Sequence, residues 1–394
     1  MLMFKTKVII SCILIMLFLT ACSPVKQLNV SVANSLSFDR NEVVSISTKQ
    51  LKPLLKHNSQ KNIRIKDIST GLYIPIQWID FEKDNAELLF QAAVKSKSVS
   101  GYVIVADSTV IIPKSKAVAY SRFVPERTDD YTWENDKVAF RTYGPDAQQR
   151  TEQHRPDGTL SSGIDLWLKR TDNSIINKWY AEAKKKPGYY HTDHGEGYDP
   201  YHVGASRGTG GSGIWVKDSL QVSKNFNSYK TIAAGPLRTV FELTYAPWSE
   251  FGVDEIKRIS LNLGSNFSKF EVVVDADKPL PNYTIGITLH NNKGKVNINK
   301  QMGWFSHNEI IDGVFIGEGI VIDPKVVDTA FANKSKTPDQ SNLLVVTQPK
   351  NKKVTYYAGF GWAKSGQVKS VTDWNELLQK QAEIIANPLI LSVK

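Results

Sequence analysis

In the run Tyr189 to Trp215, YYHTDHGEGYDPYHVGASRGTGGSGIW, three of the chain's seven histidines, His191, His194 and His202, stand among Asp193, Glu196, Asp199 and Arg207, with Tyr198 and Tyr201 between them. Imidazole changes charge closest to neutral pH. Beside a carboxylate or a phenol it serves as general acid or base. The catalytic candidates are therefore His191, His194, His202, Tyr198 and Arg207. The same donors suit a divalent metal ion, for which His191, Asp193, His194 and Glu196 are the candidate ligands. Their spacing matches no strong metal signature, so the acid-base and metal readings both stand. No organic cofactor is expected.

Seven glycines and the Asp199-Pro200 step in this run exclude a long helix. The run is predicted to be a loop walling a polar pocket, pinned by the apolar Ile214-Trp215-Val216, or else a solvated surface loop. Gly208-Thr209-Gly210-Gly211-Ser212-Gly213 has the letters of a dinucleotide fingerprint, but no strand precedes it and no helix opens from it. A close backbone path beside a ligand is the better use of those glycines.

A second dense run, RFVPERTDDYTWENDKVAFRTYGP, covers Arg122 to Pro145. Arginine forks bind carboxylate or sulfate at two points, and aromatic faces stack on sugar rings. Arg127, Trp133, Arg141 and Tyr143 are the substrate-binding candidates here, joined by Tyr201 and His290. Internal pairing of the arginines with Glu126, Asp129, Asp130 and Glu134 would give the same composition. His290, on the polar face of an alternating strand, points into a cleft or is satisfied at an edge, and His307, beside Trp304 and Phe305, lines a subsite or packs. His57 and His154 read as solvated. The chain lacks a G-x-S-x-G elbow, which disfavours serine acyl transfer.

The elements that must position these groups are strands. Short ones punctuated by turn residues run from Leu28 to about Asp107, among them Tyr73 to Trp78. Longer alternating ones follow, at Leu237 to Tyr245 and Tyr283 to Leu289 for example, with shorter ones at Val314 to Ile316 and Ile320 to Ile322. Helices are predicted only at Ser174 to Lys186, stopped by Pro187-Gly188, and at Asp373 to Ala386 behind a Thr372 cap. The expectation is an all-β chain: a small N-terminal β-sandwich over 22–115 and a large antiparallel β-sandwich with few helices over 116–394.

Residues 1–21 read as a leader, with Lys5 and Lys7 before an apolar run from Val8 to Leu19, and Cys22 falls where a lipoprotein is acylated. Cys12 lies inside the leader, so the mature chain keeps no pair of cysteines for a disulfide. A periplasmic chain, lipid-anchored to the cell envelope, is expected. Its formal charge of +10 then points to acidic substrates or anionic envelope surfaces, and not to nucleic acid.

The runs Arg122 to Pro145 and His191 to Trp215 together resemble a family of secreted bacterial lipoproteins, catalogued as a domain of unknown function and found among polysaccharide-degrading enzymes, with an ulvan oligosaccharide dehydratase among its members. The resemblance implies a galactose-mutarotase-like supersandwich and a β-elimination of water from the non-reducing-end uronate of an acidic, sulfated oligosaccharide, giving a 4,5-unsaturated uronyl end. A polysaccharide lyase and a non-catalytic sugar-binding lipoprotein are the alternative expectations. Taking the proton from C5 builds charge on the sugar carboxylate, so cationic donors must meet it. Arg127, Arg141 and Arg207 are the candidates for that part.

Overall fold

The computed structural model describes residues 27–81, 85–337 and 339–394. The leader and Cys22 lie outside the described residues. In the strand Gln27–Ala33, Leu28, Val30 and Val32 are buried while Gln27 and Asn29 face water, the period of two that places one face of a strand on a core. That strand sits between Ile390–Val393 and Val99–Ala106 in a five-stranded sheet. Its apolar face meets Ile46, Leu88 and Phe90 of a three-stranded sheet, which completes a small sandwich. Pro75, which has no N–H to give, splits the strand expected at Tyr73 to Trp78 into Tyr73–Ile74 and Ile76–Asp80, and the two halves join different sheets.

The last strand corrects the boundary expected at residue 394. Ile390–Val393 leaves the large unit and pairs with Gln27–Ala33, Val30 opposite Val393, so that the edge of the first sheet is covered.

The large unit is built on an eight-stranded antiparallel sheet whose order is Phe226–Ala234, Arg238–Trp248, Val253–Asn262, Phe267–Ala276, Lys353–Trp362, Val314–Ile322, Trp304–Ile311 and Lys295–Asn299. Val314–Ile322 is one strand where two had been expected. Two five-stranded sheets cover its inner face. One holds Asp130–Glu134, Ala139–Thr142 and Asp165–Lys169, and the other Thr209–Val216, Tyr283–Thr288 and Asn342–Thr347. A parallel bridge between Ile164 and Gly208 links the two. Phe241, Ile259, Phe270 and Phe360 from the long sheet pack with Trp133, Phe140, Ile285 and Leu343 in one core. The all-β expectation of a small sandwich followed by a large one holds.

There are four α-helices among the described residues: α1 (Thr48–Leu55), α2 (Pro145–Glu152), α3 (Ile176–Lys185) and α4 (Val371–Ala386). The first two had not been expected. A reciprocal capping box between Ser47 and Gln50 starts α1, and Pro145 in the first turn starts α2. In α3 the usual capping side chain is replaced by Glu134, whose carboxylate accepts the amides of Ile175 and Ile176 and is held by buried Lys169 at 2.8 Å. The cap of α4 is Ser370, which accepts from the Asp373 amide, and not Thr372. Trp374 of α4 lies against Gly317 and Gly361; a Cβ at Gly317 would stand 2.3 Å from Trp374 Cδ1. Among the described residues no helix is long and apolar enough to cross a membrane.

Candidate functional site

The histidine-rich run crosses the seam between the two covering sheets. Asp199 N–H donates to Tyr190 O at 2.7 Å, Ile164 N–H to Arg207 O at 3.1 Å, and Thr209 N–H to Ile164 O at 2.8 Å. Gly208 adopts φ +55°, and a Cβ there would lie 1.9 Å from Ile164 O, so the crossing is closed to other residues.

Past this seam the run meets the strands Trp304–Ile311 and Val314–Ile322 of the long sheet, where a polar cluster forms. The ring of Tyr201 stacks on His290 with centroids 3.9 Å apart, and its hydroxyl donates to Glu309 Oε1 at 2.5 Å. His290 Nε2 lies 3.3 Å from Glu318 Oε1 and 3.5 Å from Glu309 Oε1. His307 Nδ1 approaches the same Glu318 oxygen at 3.3 Å from the buried side. Thr209 Oγ1 donates to Glu318 Oε2 at 2.5 Å. His202, exposed, stands at the rim with Tyr201, over a narrow hollow lined by Thr209, His290 and Glu318.

The electrostatics follow from burial and partners. Burial works to raise the Glu318 carboxyl, but its hydrogen bonds to His290 and His307 prevail and bring it down to about 2. Burial would lower His290, yet its hydrogen bond to Glu318 and the charges of Glu318 and Glu309 raise it overall. Burial and the two glutamates hold the Tyr201 phenol well above its ordinary value. His290 also sits at φ +44°, a left-handed conformation that an imidazole-bearing residue keeps only where its surroundings enforce it.

A second hollow, of about 260 Å³, opens at the end of the strand Trp304–Ile311 and is lined by His191, Asp193, Tyr198, Asp312, Trp362 and Lys364. Tyr198 donates to Asp312, and Lys364 Nζ lies 2.9 Å from Asp193 Oδ2. Asp193 also accepts from Gly195 and Gly197 amides and from Arg170, which together hold its carboxyl well below the usual range against the effect of burial.

Several candidates named from the sequence have other employment. Arg207 is 1% exposed and donates to Ser162 Oγ, Ser212 O and Ala205 O; burial lowers it to about 10, and it cannot reach a substrate. Arg141 is buried among three carboxylates, 2.6 Å from Asp165, 2.8 Å from Asp199 and 3.8 Å from Asp130. The face of Tyr143 is covered by Arg141, and Trp133 is wholly buried with its Nε1 donating to Ser268. Arg127 is turned onto Tyr190 and Thr128. The run Arg122 to Pro145 thus turns largely inward because its alternation puts the aromatics into the core between the sheets; of the internal pairings expected, Arg122 meets Glu126 and Arg141 meets Asp130, while Glu134 is held by Lys169.

The metal set expected at His191, Asp193, His194 and Glu196 does not assemble. His194 stacks on Tyr189 and bonds Tyr189 O, Glu196 pairs with Lys178, and His191 approaches Asp199. A left-handed Gly195 turns the backbone between the would-be ligands. The histidine and carboxylate donors that do gather among the described residues are His290, His307, Glu309 and Glu318, all within 4.8 Å. Glu309 and Glu318 were not singled out from the sequence. The readable signal was Gly317-Glu318-Gly319, a lone charge inside an otherwise apolar strand whose cross-strand partner is His307.

A larger cleft, of about 930 Å³, lies between the small sandwich, α4 and the outer face of the long sheet. Among the described residues it is lined by no histidine, and it holds the ion pairs of Arg40 with Glu42 and Lys269 with Glu271.

Residues 32–391 match the family described as Domain of unknown function (DUF4861), and the chain belongs to that family. It is 43% identical over 374 residues to Uncharacterized protein P7 of Formosa agariphila, covering 93% of each chain. Two solved structures from Enterococcus faecalis share the fold at 10% identity over 94% of this chain: a protein in the Glycosyl Hydrolase Family 38, with a TM-score of 0.54, and an alpha-mannosidase, with a TM-score of 0.51. The chain spans about half the length of these two, 48% and 46%.

Proposed function

We propose, starting from membership of the DUF4861 family, that this chain is a carbohydrate-active dehydratase. It would eliminate water from the non-reducing-end uronate of ulvan-type acidic oligosaccharides and leave a 4,5-unsaturated uronyl end. The observation that carries the reading is the Tyr201 hydroxyl, fixed by Glu309 and stacked on His290, beside exposed His202 at the mouth of a hollow.

The reaction needs two proton transfers on adjacent ring carbons. One group takes the C5 proton, the electron pair moves into the C4–C5 bond, and the C4 hydroxyl leaves as water after receiving a proton. Tyr201 and His202 supply that pair, each transfer being worth about 100-fold to 10,000-fold. Burial beside two glutamates favours the protonated phenol, while His202 has the solvent access a proton carrier requires. Lys364, partly exposed in the adjoining hollow, offers a positive charge for an acidic neighbouring sugar or sulfate. The leader and Cys22 support a lipid-anchored place at the cell envelope, facing the periplasm.

The test is mass spectrometry of uronate-ended ulvan oligosaccharides after incubation with the purified protein. Loss of one water with no shortening is the expected result. A shortened chain would identify a lyase, and unchanged masses would leave only a sugar-binding role; either outcome overturns the dehydratase.

A further inference from the structure

We infer that His290, His307, Glu309 and Glu318 form a binding site for one divalent transition-metal cation, with zinc the best-fitting probe. The separations between donors carry the inference. His290 Nε2 and His307 Nδ1 each stand 3.3 Å from Glu318 Oε1, and His290 Nε2 stands 3.5 Å from Glu309 Oε1. Zinc takes nitrogen and carboxylate oxygen at about 2.0–2.2 Å in a tetrahedron, which spaces neighbouring ligands by about 3.3–3.6 Å. A direct imidazolium–carboxylate hydrogen bond would close to about 2.7–2.9 Å. The contacts among these groups are longer than close charge-assisted hydrogen bonds and match the spacing of ligands around a single ion.

The surroundings have the build of a metal site. The carboxylate ligands are steered from outside, Glu318 by Thr209 Oγ1 and Glu309 by Tyr201, both at 2.5 Å. Among the described residues no lysine or arginine pairs with either glutamate. Two carboxylates with side chains 1% and 8% exposed need a compensating charge, and a dication with two neutral imidazoles supplies it. His307 is buried and turns its Nδ1 toward Glu318, so Nδ1 is the nitrogen it offers to the cluster. His290 and Glu309, the partly exposed members, leave the ion approachable from the side of Tyr201 and His202.

The ion's role rests on the reaction proposed above: it holds the uronate carboxylate and spreads the charge that builds when C5 loses its proton. This replaces the part once given to Arg127, Arg141 and Arg207. The binding itself does not depend on that reaction.

The experiment is metal analysis of the full-length protein by inductively coupled plasma mass spectrometry, followed by chelator stripping and calorimetric titration with zinc chloride. About one equivalent per chain is expected, with a rise in melting temperature on reloading. His290→Ala and Glu309→Gln, each checked for an unchanged fold by circular dichroism, should weaken zinc binding at least tenfold. Absence of stoichiometric uptake, or wild-type affinity in both variants, overturns the site. Zinc uptake without any dehydration sinks the reaction and leaves the site standing. Dehydration by chelator-treated, metal-free protein overturns the ion's part in the reaction.

Discussion

The phenol of Tyr201 lies on the imidazole of His290, ring planes 17° from parallel, so that one residue of the loop both covers the histidine and aims its hydroxyl at Glu309. The stacking and the hydroxyl are separable. Tyr201→Phe keeps the ring and removes only the O–H, so the fold should persist by circular dichroism while kcat falls by about 100-fold or more. Substrate KM should move far less. Unaltered turnover would remove Tyr201 from the proton-transfer pair.

Arg141 is the cation that holds Asp130, Asp165 and Asp199 together in the dry interior. Arg141→Met preserves bulk and leaves the acids without their partner, which should cost about 3–5 kcal/mol in urea unfolding. A loss under about 1 kcal/mol would mean that the acids carry their own protons and need no arginine.

The same cluster predicts a pH dependence. Burial, only partly opposed by Arg141 and Arg127, raises Asp130 from 3.8 to about 6. Between those values the folded chain holds more protons than the unfolded one. Stability from this group is therefore complete below about pH 4 and is lost as pH rises through about 6, by on the order of 2–3 kcal/mol at most. Asp130→Asn cannot titrate. Its unfolding free energy should decline less than that of the wild type between pH 4.5 and 7, and matching slopes would refute the assignment.

Gly317 makes room for Trp374 of α4. Gly317→Ala puts a methyl into the indole and should destabilise by about 1–3 kcal/mol. In a Trp374→Ala background the same change should cost much less, and this coupling is read from the double-mutant cycle by urea unfolding.

Fold class was legible because alternation is a local property. Leu28, Val30 and Val32 declare their buried face without reference to any other part of the chain. The strand Ile390–Val393 was not assigned to its sheet, since pairing with Gln27–Ala33 across the whole chain leaves no trace in either segment. Helix α1 is amphipathic over only eight residues, too short for its period to stand out against the strands around it.

The site was legible in part. The loop was recognised by its density of polar groups, and Tyr201, His202 and His290 do meet at one hollow. The guanidinium groups misled, because a charge that stacks on aromatics has the same composition whether it faces a ligand or a core, and Arg141 faces Tyr143, Trp167 and Tyr190 inside. Glu309 and Glu318 escaped notice because their partner His290 stands on the turn beyond Tyr283–Thr288, in another sheet, and only the fold makes them neighbours.

Since Ile390–Val393 seals the sheet that begins at Gln27, the small sandwich waits for residues made after the whole of the large unit. A nascent chain leaving the ribosome or a translocon would carry that raw edge until Ile390–Val393 emerge. Removing Ile390–Val393 would injure the small sandwich before the large unit, and a tag fused beside that strand should be judged by how it treats the small sandwich.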